Sequence, residues 1–337
     1  MLEYILLIAD EGAVSFCHYE NEDYDKGVSK LIPLDKFKRI VNYASEHNLI
    51  LNVLLGHKNL TDEHLRILSG VSHIKLVPYE LSNSFPDAVP VLDWESSGQF
   101  SKIREKQIDN LIIRLDGYPM VDLRAIIRHF IDFTKRINIV LKDLKKLTEE
   151  NLISYQYQLN RIIPLIERCY LDGKAFELNC LSDRLLLKGM NNCNAGIRHI
   201  TFAPNGKFYI CPGFYYSAPQ NDIGSLEEGL KIPNQELLQL DHAPICSVCD
   251  AFHCKRCIYL NKITTHELNT PSRQQCMLSH MERNASRRLL RRLKPAIQNP
   301  QEFTDIPEVD YLDPLEVLQE QKTFNKIKLY SICKGDV

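Results

Sequence analysis

The chain begins with a compact apolar run of strand length, Tyr4 to Asp10 (YILLIAD). Between residues 34 and 47, Leu34, Phe37, Ile40, Val41 and Ala44 recur at helical spacing, which predicts one buried helix face. Leu49 to Leu55 (LILNVLL) reads as a second buried strand, stopped by Gly56. Thr61 offers an N-cap before DEHLRIL, and His73 to Val77 returns as strand. Further strands are predicted at Leu111 to Leu115, Ile137 to Leu141 and Phe176 to Asn179, with Val89 to Leu92 a short extra piece. Two helices separate them: Met120 to Ile137, with Met120, Leu123, Ile127, Phe130 and Ile131 inward, and a long one capped by Thr148 that runs through Leu152, Leu159, Ile163 and Ile166, with Pro164 a candidate kink. Six strands joined by helical crossovers predict a parallel sheet with helices outside, as an open sheet or a partial barrel. In either, ligands bind at the carboxyl ends of the strands.

The pattern changes near residue 190. Ile200 to Cys211 (ITFAPNGKFYIC) alternates on both sides of Asn205-Gly206 and predicts a β-hairpin. From there to Cys276 the chain is loop-rich with little core of its own, so it needs a staple. Residues 282–294 (ERNASRRLLRRLK) predict a basic amphipathic helix, and Arg287, Arg288, Arg291, Arg292 and Lys294 read as a solvated face. The last forty residues are polar and carry several prolines, a surface-packed or loose tail.

Composition narrows the class. At 337 residues the chain has room for about two domains. An apolar fraction of 44% and a charged fraction of 25% exclude a disordered or fibrous chain. Lys plus Arg number 41 against 43 Asp plus Glu, so no global charge marks a nucleic-acid or anionic-membrane partner. No apolar run reaches the roughly 20 residues that cross a bilayer. The first residues lack the basic region of a signal peptide, and the expectation is a soluble cytoplasmic protein.

Chemistry is concentrated in the cysteines. There are 11, an odd number that favours metal or thiol chemistry over a disulfide framework. Cys246, Cys249, Cys254 and Cys257 fall within twelve residues, with Cys276 after them and Cys193 and Cys211 before. A C-x2-C pair brings two sulfurs to one point from a single turn, and two such pairs make a strong metal signal. Paired C-x2-C alone favours zinc, whereas cubane clusters take four cysteine thiolates each.

The order of these seven cysteines, with Gly206 separated from Cys211 by four residues and Ile223-Gly224-Ser225-Leu226 beyond, resembles the SPASM domain that follows the barrel in peptide-modifying radical SAM enzymes. All seven have a counterpart over about residues 190–285, with two inner spacings one residue short. The resemblance implies an α/β fold: a partial (β/α)6 radical-SAM-type barrel over 1–188, a small cysteine-rich SPASM domain with a β-hairpin over 189–285, and a basic helix and tail over 286–337. It implies two 4Fe-4S clusters, zinc being the alternative. Cys193, Cys211 and Cys257 would hold the first, with His199 or Cys180 as candidate fourth ligands. Cys246, Cys249, Cys254 and Cys276 would hold the second. Phe214, Tyr215 and Tyr216 would shield a cluster from water.

The motif CxxxCxxC that binds the S-adenosylmethionine cluster in that family has no counterpart. In the loop after the first strand, EGAVSFCHYE, Cys17 takes the middle position and Tyr19 the aromatic one, but Ala13 and Glu20 stand at the outer two. Leu54-Leu55-Gly56-His57 stands where a glycine-rich motif is expected. Cys17 then reads as a packing thiol, and Asp93, Glu95 and Asp116 at strand ends as caps as readily as catalysts. Over its whole length the chain resembles the CXXX repeat peptide maturases, described as radical-SAM-like without the cluster loop; AVSFCHYEN, MNNCNAGIRHITFAPNGKFYICPGFYY and CSVCDAFHCKRC carry the likeness. The implied partners are a cysteine-repeat precursor peptide, whose thiols suit an open iron, and a companion modification protein. Non-catalytic peptide binding and a zinc-stabilised module are the alternatives.

Overall fold

The computed structural model describes residues 2–94, 107–116, 122–174, 176–296 and 302–308. Glu95, Met120 and Cys333 lie outside them. In chain order the elements are β1 (Tyr4–Ile8), α1 (Glu22–Asp25), α2 (Leu34–Glu46), β2 (Ile50–Leu54), α3 (Asp62–Leu68), β3 (His73–Pro78), β4 (Val89–Trp94), β5 (Ile108–Asp116), α4 (Leu123–Phe130), β6 (Thr134–Lys142) and α5 (Glu149–Leu171). They continue with β7 (Glu177–Leu178), α6 (Asp183–Leu186), β8 (His199–Phe202), β9 (Phe208–Tyr209), α7 (Pro212–Ser217), β10 (Gly224–Ser225), β11 (Gly229–Leu230), α8 (Ile258–Thr265) and α9 (Arg273–Leu293).

One nine-stranded sheet runs β7-β6-β5-β4-β3-β2-β1-β8-β9. Every pair is parallel except β8 with β9, so the predicted crossovers stand. The extra piece at Val89 is a full strand between β3 and β5. The hairpin, however, is not a separate sheet. Its first strand pairs with β1 in the register Tyr4↔His199, and so extends the barrel sheet past β1. Strand β1 is buried on both faces and needs a partner on each side, which sequence periodicity cannot assign. The turn is closed by Gly206 N–H to the Ala203 carbonyl at 2.9 Å.

Alternation sorts the side chains of the sheet. Ile5 and Leu7 of β1 and Ile200 and Phe202 of β8 meet Phe37, Ile40, Val41 and Ala44 of α2 on the helix face. Ile8, Leu54, Leu76, Val91 and Ile112 line the interior with Tyr209 and the partly buried Phe214, Tyr215 and Tyr216. Each such side chain buried in full stabilises the fold by about 1.5–3 kcal/mol. The third predicted helix is shorter than expected: α4 ends at Phe130, and β6 begins at Thr134 because residues 134–142 alternate in burial. Pro164 is accommodated inside α5.

Helix α9 runs unbroken through residue 285 and packs along α5. Its basic face is not wholly solvated, as was expected. Arg287 is 5% exposed and ion-paired to Glu308 at 3.1 Å, while Arg292 and Lys294 stay at the surface on Glu167 and Asp305. Helical charge spacing shows that a face is basic but not what covers it. No helix among the described residues is long and apolar enough to cross a membrane.

Candidate functional site

The loop after β1 is folded against the carboxyl ends of the strands. Asp10, fully buried, accepts from Gly12 N–H at 3.0 Å, Lys30 N–H at 2.8 Å and Ser29 Oγ at 2.6 Å. Gly56 lies so close that a β-carbon there would fall 2.2 Å from the Gly12 carbonyl oxygen, so this contact tolerates only glycine. Asn21 Nδ2 donates to the carbonyls of Glu11 and Ala13, closing the loop on itself.

Arg114 of β5 then pins the loop across the strand ends. Its side chain is 2% exposed, and it donates to both oxygens of Asp93, at 3.0 and 3.1 Å, to the carbonyls of Cys17 (3.2 Å) and Tyr19 (3.0 Å), and to Glu20 Oε2 at 2.8 Å. Lys142 approaches Asp93 and Asp116 at 3.6 and 3.4 Å. Of the two outer motif positions, Ala13 is therefore buried core and the Glu20 carboxylate is ion-paired. Asp93 and Asp116 sit in the same charge network, on neither thiol set. Replacing Arg114 by methionine is expected to cost about 3 kcal/mol, because it strands buried partners; the denaturation midpoint by circular dichroism measures it.

None of the ten described cysteines is in a disulfide, and the charges of eight of them act on one another in two groups of four. The second group is Cys246, Cys249, Cys254 and Cys276. Burial, together with charge at Cys254, Cys246 and Cys249, raises the Cys276 thiol to about 12. Burial likewise lifts Cys249 to about 11, with Cys254 and Cys246 among its neighbours. Cys246 and Cys249 share a tight turn (Cys249 N–H to Cys246 O, 3.2 Å). Helix α9 supplies Cys276, His280 and Arg283 from one face, at spacings of four and three residues. His280 Nε2 is 3.9 Å from Cys249 Sγ, and Arg283, fully buried, forks onto Asp250 of the cysteine loop. Sequence reasoning missed both; the helical spacing from Cys276 could have flagged them.

In the first group, burial raises Cys211 well above its usual value, with charge at Cys257, Cys17 and Cys193 adding to it. Burial also raises Cys257, next to Cys193 and Cys17. Direct contacts explain the meeting. Cys211 and Cys257 are the N-caps of α7 and α8, which touch so closely that a β-carbon on Gly213 would fall 2.8 Å from the Tyr259 ring. Cys193 N–H bonds to the Lys255 carbonyl at 3.1 Å, two residues before Cys257. The unexpected member is Cys17. Of the candidate fourth ligands, His199 Nε2 lies 4.0 Å from Cys193 Sγ with its ring stacked on Tyr4 at 4.7 Å, and burial lowers it to about 4. Cys180 is buried beside Tyr155 and Glu282. Tyr216 stacks on Tyr19 at 5.5 Å, and Phe214, packed with Cys193 and Cys211, meets Tyr259 edge-on at 5.6 Å.

The donor set suits sulfur-ligated iron. No three His, Cys, Asp or Glu among the described residues are grouped tightly enough for a single metal ion. Tetrahedral zinc at about 2.3 Å would draw its sulfurs to about 3.8 Å from one another. A multi-iron cluster takes its four thiolates at wider spacing. Backbone N–H groups point at two of the sulfurs: Ala251 to Cys249 at 3.4 Å and Leu260 to Cys257 at 3.5 Å. Lys255 and Arg256 stand by as cations. A cavity of 110 Å³ touches both groups through Cys254 and Cys257, and His18, His253 and Glu282 line it too. His253 Nε2 is 3.0 Å from Glu282, which also accepts from the Tyr155 hydroxyl at 2.5 Å. A larger groove of 550 Å³ shares His18 and Leu260 with it and adds Glu20, Tyr216 and Tyr259.

No protein-family model matches the sequence, and no curated protein matches it. Solved structures do match. Hexahistidine-tagged anSMEcpe with bound AdoMet is similar with a TM-score of 0.57 at 14% identity, over 86% of this chain and 98% of that one. Native anSMEcpe with bound AdoMet and Kp18Cys peptide gives 0.56 at 11%, over 88% and 100%. SuiB from Streptococcus suis bound to precursor peptide SuiA gives 0.50 at 13%, over 82% and 76%. At such identity the likeness is one of fold: a mixed α/β architecture on a mostly parallel sheet, of the radical-SAM type.

Proposed function

We propose that this chain is a peptide-maturation protein whose cysteine-rich segment holds two 4Fe-4S clusters, and that it acts on a cysteine-repeat precursor peptide without a cluster able to cleave S-adenosylmethionine. The observation that carries this is the gathering of thiols into two groups beside one polar cavity. Cys193, Cys211 and Cys257 would hold one cluster, with His199 the sequence's candidate for the fourth place. Cys246, Cys249, Cys254 and Cys276 would hold the other. Bound there, the clusters would supply one-electron chemistry. The chain's own residues do the rest. Backbone N–H groups stabilise the thiolates, Phe214 and Tyr216 exclude water, and His253 with Glu282 can hold a proton beside Cys254 and Cys257. The peptide would lie in the groove that joins His18, Tyr216 and Tyr259. That the solved relatives in fold include structures with bound peptides supports a peptide partner.

The ion-paired strand ends favour a second reading, in which the chain presents the peptide to a companion modification protein. Iron, zinc and acid-labile sulfide per chain, measured without oxygen, test the cofactors: iron and sulfide in equal amounts are expected, and zinc without sulfide sinks them. Incubation with the peptide, followed by mass spectrometry, separates turnover from presentation.

A further inference from the structure

We infer that Cys17, in the loop after β1, is the fourth thiolate of the group formed by Cys193, Cys211 and Cys257, so that one cluster ties the barrel to the cysteine-rich segment. This rests on the iron–sulfur reading above. Three observations place the sulfur there. First, the loop is fixed on that side of the molecule: Arg114 holds the Cys17 carbonyl, His18 Nδ1 reaches the Leu141 carbonyl at 3.1 Å, and Tyr19 stacks on Tyr216 of the helix that Cys211 caps. Second, His18 lines the same cavity as Cys254 and Cys257, which brings the loop after β1 up to the thiol groups. Third, the backbone amides of Tyr19 and His18 lie by the Cys17 sulfur and favour its thiolate, as Leu260 N–H does at Cys257, 3.5 Å from the sulfur. With Cys17 the group has four thiolates, the number that completes a cubane.

His199 fits a different role. Its Nε2 is within hydrogen-bonding reach of the Cys193 sulfur itself, so it neighbours a ligand and does not occupy a corner of its own. A ring stacked on Tyr4 and aimed at that sulfur acts on the ligand as a positioning residue. A full set of four thiolates also leaves no open iron for a peptide thiol, which assigns this cluster to electron transfer or to holding the two halves together.

The full chain is purified and reconstituted without oxygen as wild type, Cys17→Ala, Cys257→Ala and His199→Ala. Cys17→Ala and Cys257→Ala should each lower iron and sulfide by up to roughly half, since either loss opens the same one of two clusters. Both should alter the same component of the reduced electron paramagnetic resonance spectrum. His199→Ala should keep the wild-type iron content. Alkylation of wild type read by mass spectrometry checks the point without a variant: Cys17 should be protected in the loaded protein and labelled after iron is removed. Wild-type iron and spectrum in Cys17→Ala, or equal labelling of Cys17 before and after iron removal, overturns the inference. Iron-free wild type would instead overturn the reading it rests on.

Discussion

Cys249→Ala is expected to cut bound iron to roughly half and to lower the soluble yield several-fold, whereas Cys169→Ala should leave both unchanged. The reason lies in what else holds residues 238–276. Apart from Cys246, their buried apolar residues are Leu238, Ala243, Ala251, Ile258, Tyr259 and Leu260, two of them alanines and three of them in or beside the first turn of α8. Ile245 and Val248 are 53% and 84% exposed. A segment of this kind folds on its metal, and structural metal sites in small domains supply about 10–16 kcal/mol of folding free energy. Arg283 and Arg184 both reach Asp250 in the middle of the loop, but these ion pairs position it without replacing a core. Removing one of four thiolates should release the cluster, expose the loop and leave the buried Arg283–Asp250 pair open to water. Cys169 lies in α5 and belongs to neither thiol group, so its substitution controls for loss of a thiol as such. Iron per soluble chain, compared across the two variants, measures the difference; equal values in both would remove the second cluster from the proposal.

Much of this was legible in sequence because the relevant signals were local. Apolar runs of strand length, the Asn205-Gly206 turn and the C-x2-C pairs each act over a few residues, and each appears where the pattern put it. What escaped notice depends on pairings distant in sequence. Cys17 and Cys193 are held together by β1–β8 pairing and by Arg114, and neither leaves a mark in local spacing. Arg114 sits in the apolar stretch LIIRL and reads as an interruption; only the parallel register, Asp93↔Arg114, reveals a buried ion pair. His280 and Arg283 went unread for a related reason. The basic pattern of 282–294 drew attention to charge, while the useful periodicity began earlier, at Cys276.

Incubation with S-adenosylmethionine and a strong reductant is expected to yield 5′-deoxyadenosine no faster than a protein-free control. Reductive cleavage needs a cluster with one iron left open by three protein ligands. Of the three positions that the loop after β1 offers, Ala13 is fully buried among Ile8, Val14 and Leu54 and has no donor atom. Glu20 has a carboxylate, but Arg114 holds it at 2.8 Å, and an oxygen donor is poorly matched to iron among thiolates. The remaining thiol, Cys17, stands with Cys193, Cys211 and Cys257. The guanidinium of Arg114, anchored to Asp93 of the neighbouring β4, already makes five hydrogen-bonding contacts. Liquid chromatography of the reaction mixture measures the product directly. Turnover at enzyme-like rates would mean that a second cluster site exists in the barrel, and the assignment of Cys17 would then have to be made between the two; background rates in wild type, together with iron lost from Cys17→Ala, would fix this thiol in the cysteine-rich segment and leave the barrel to bind the peptide.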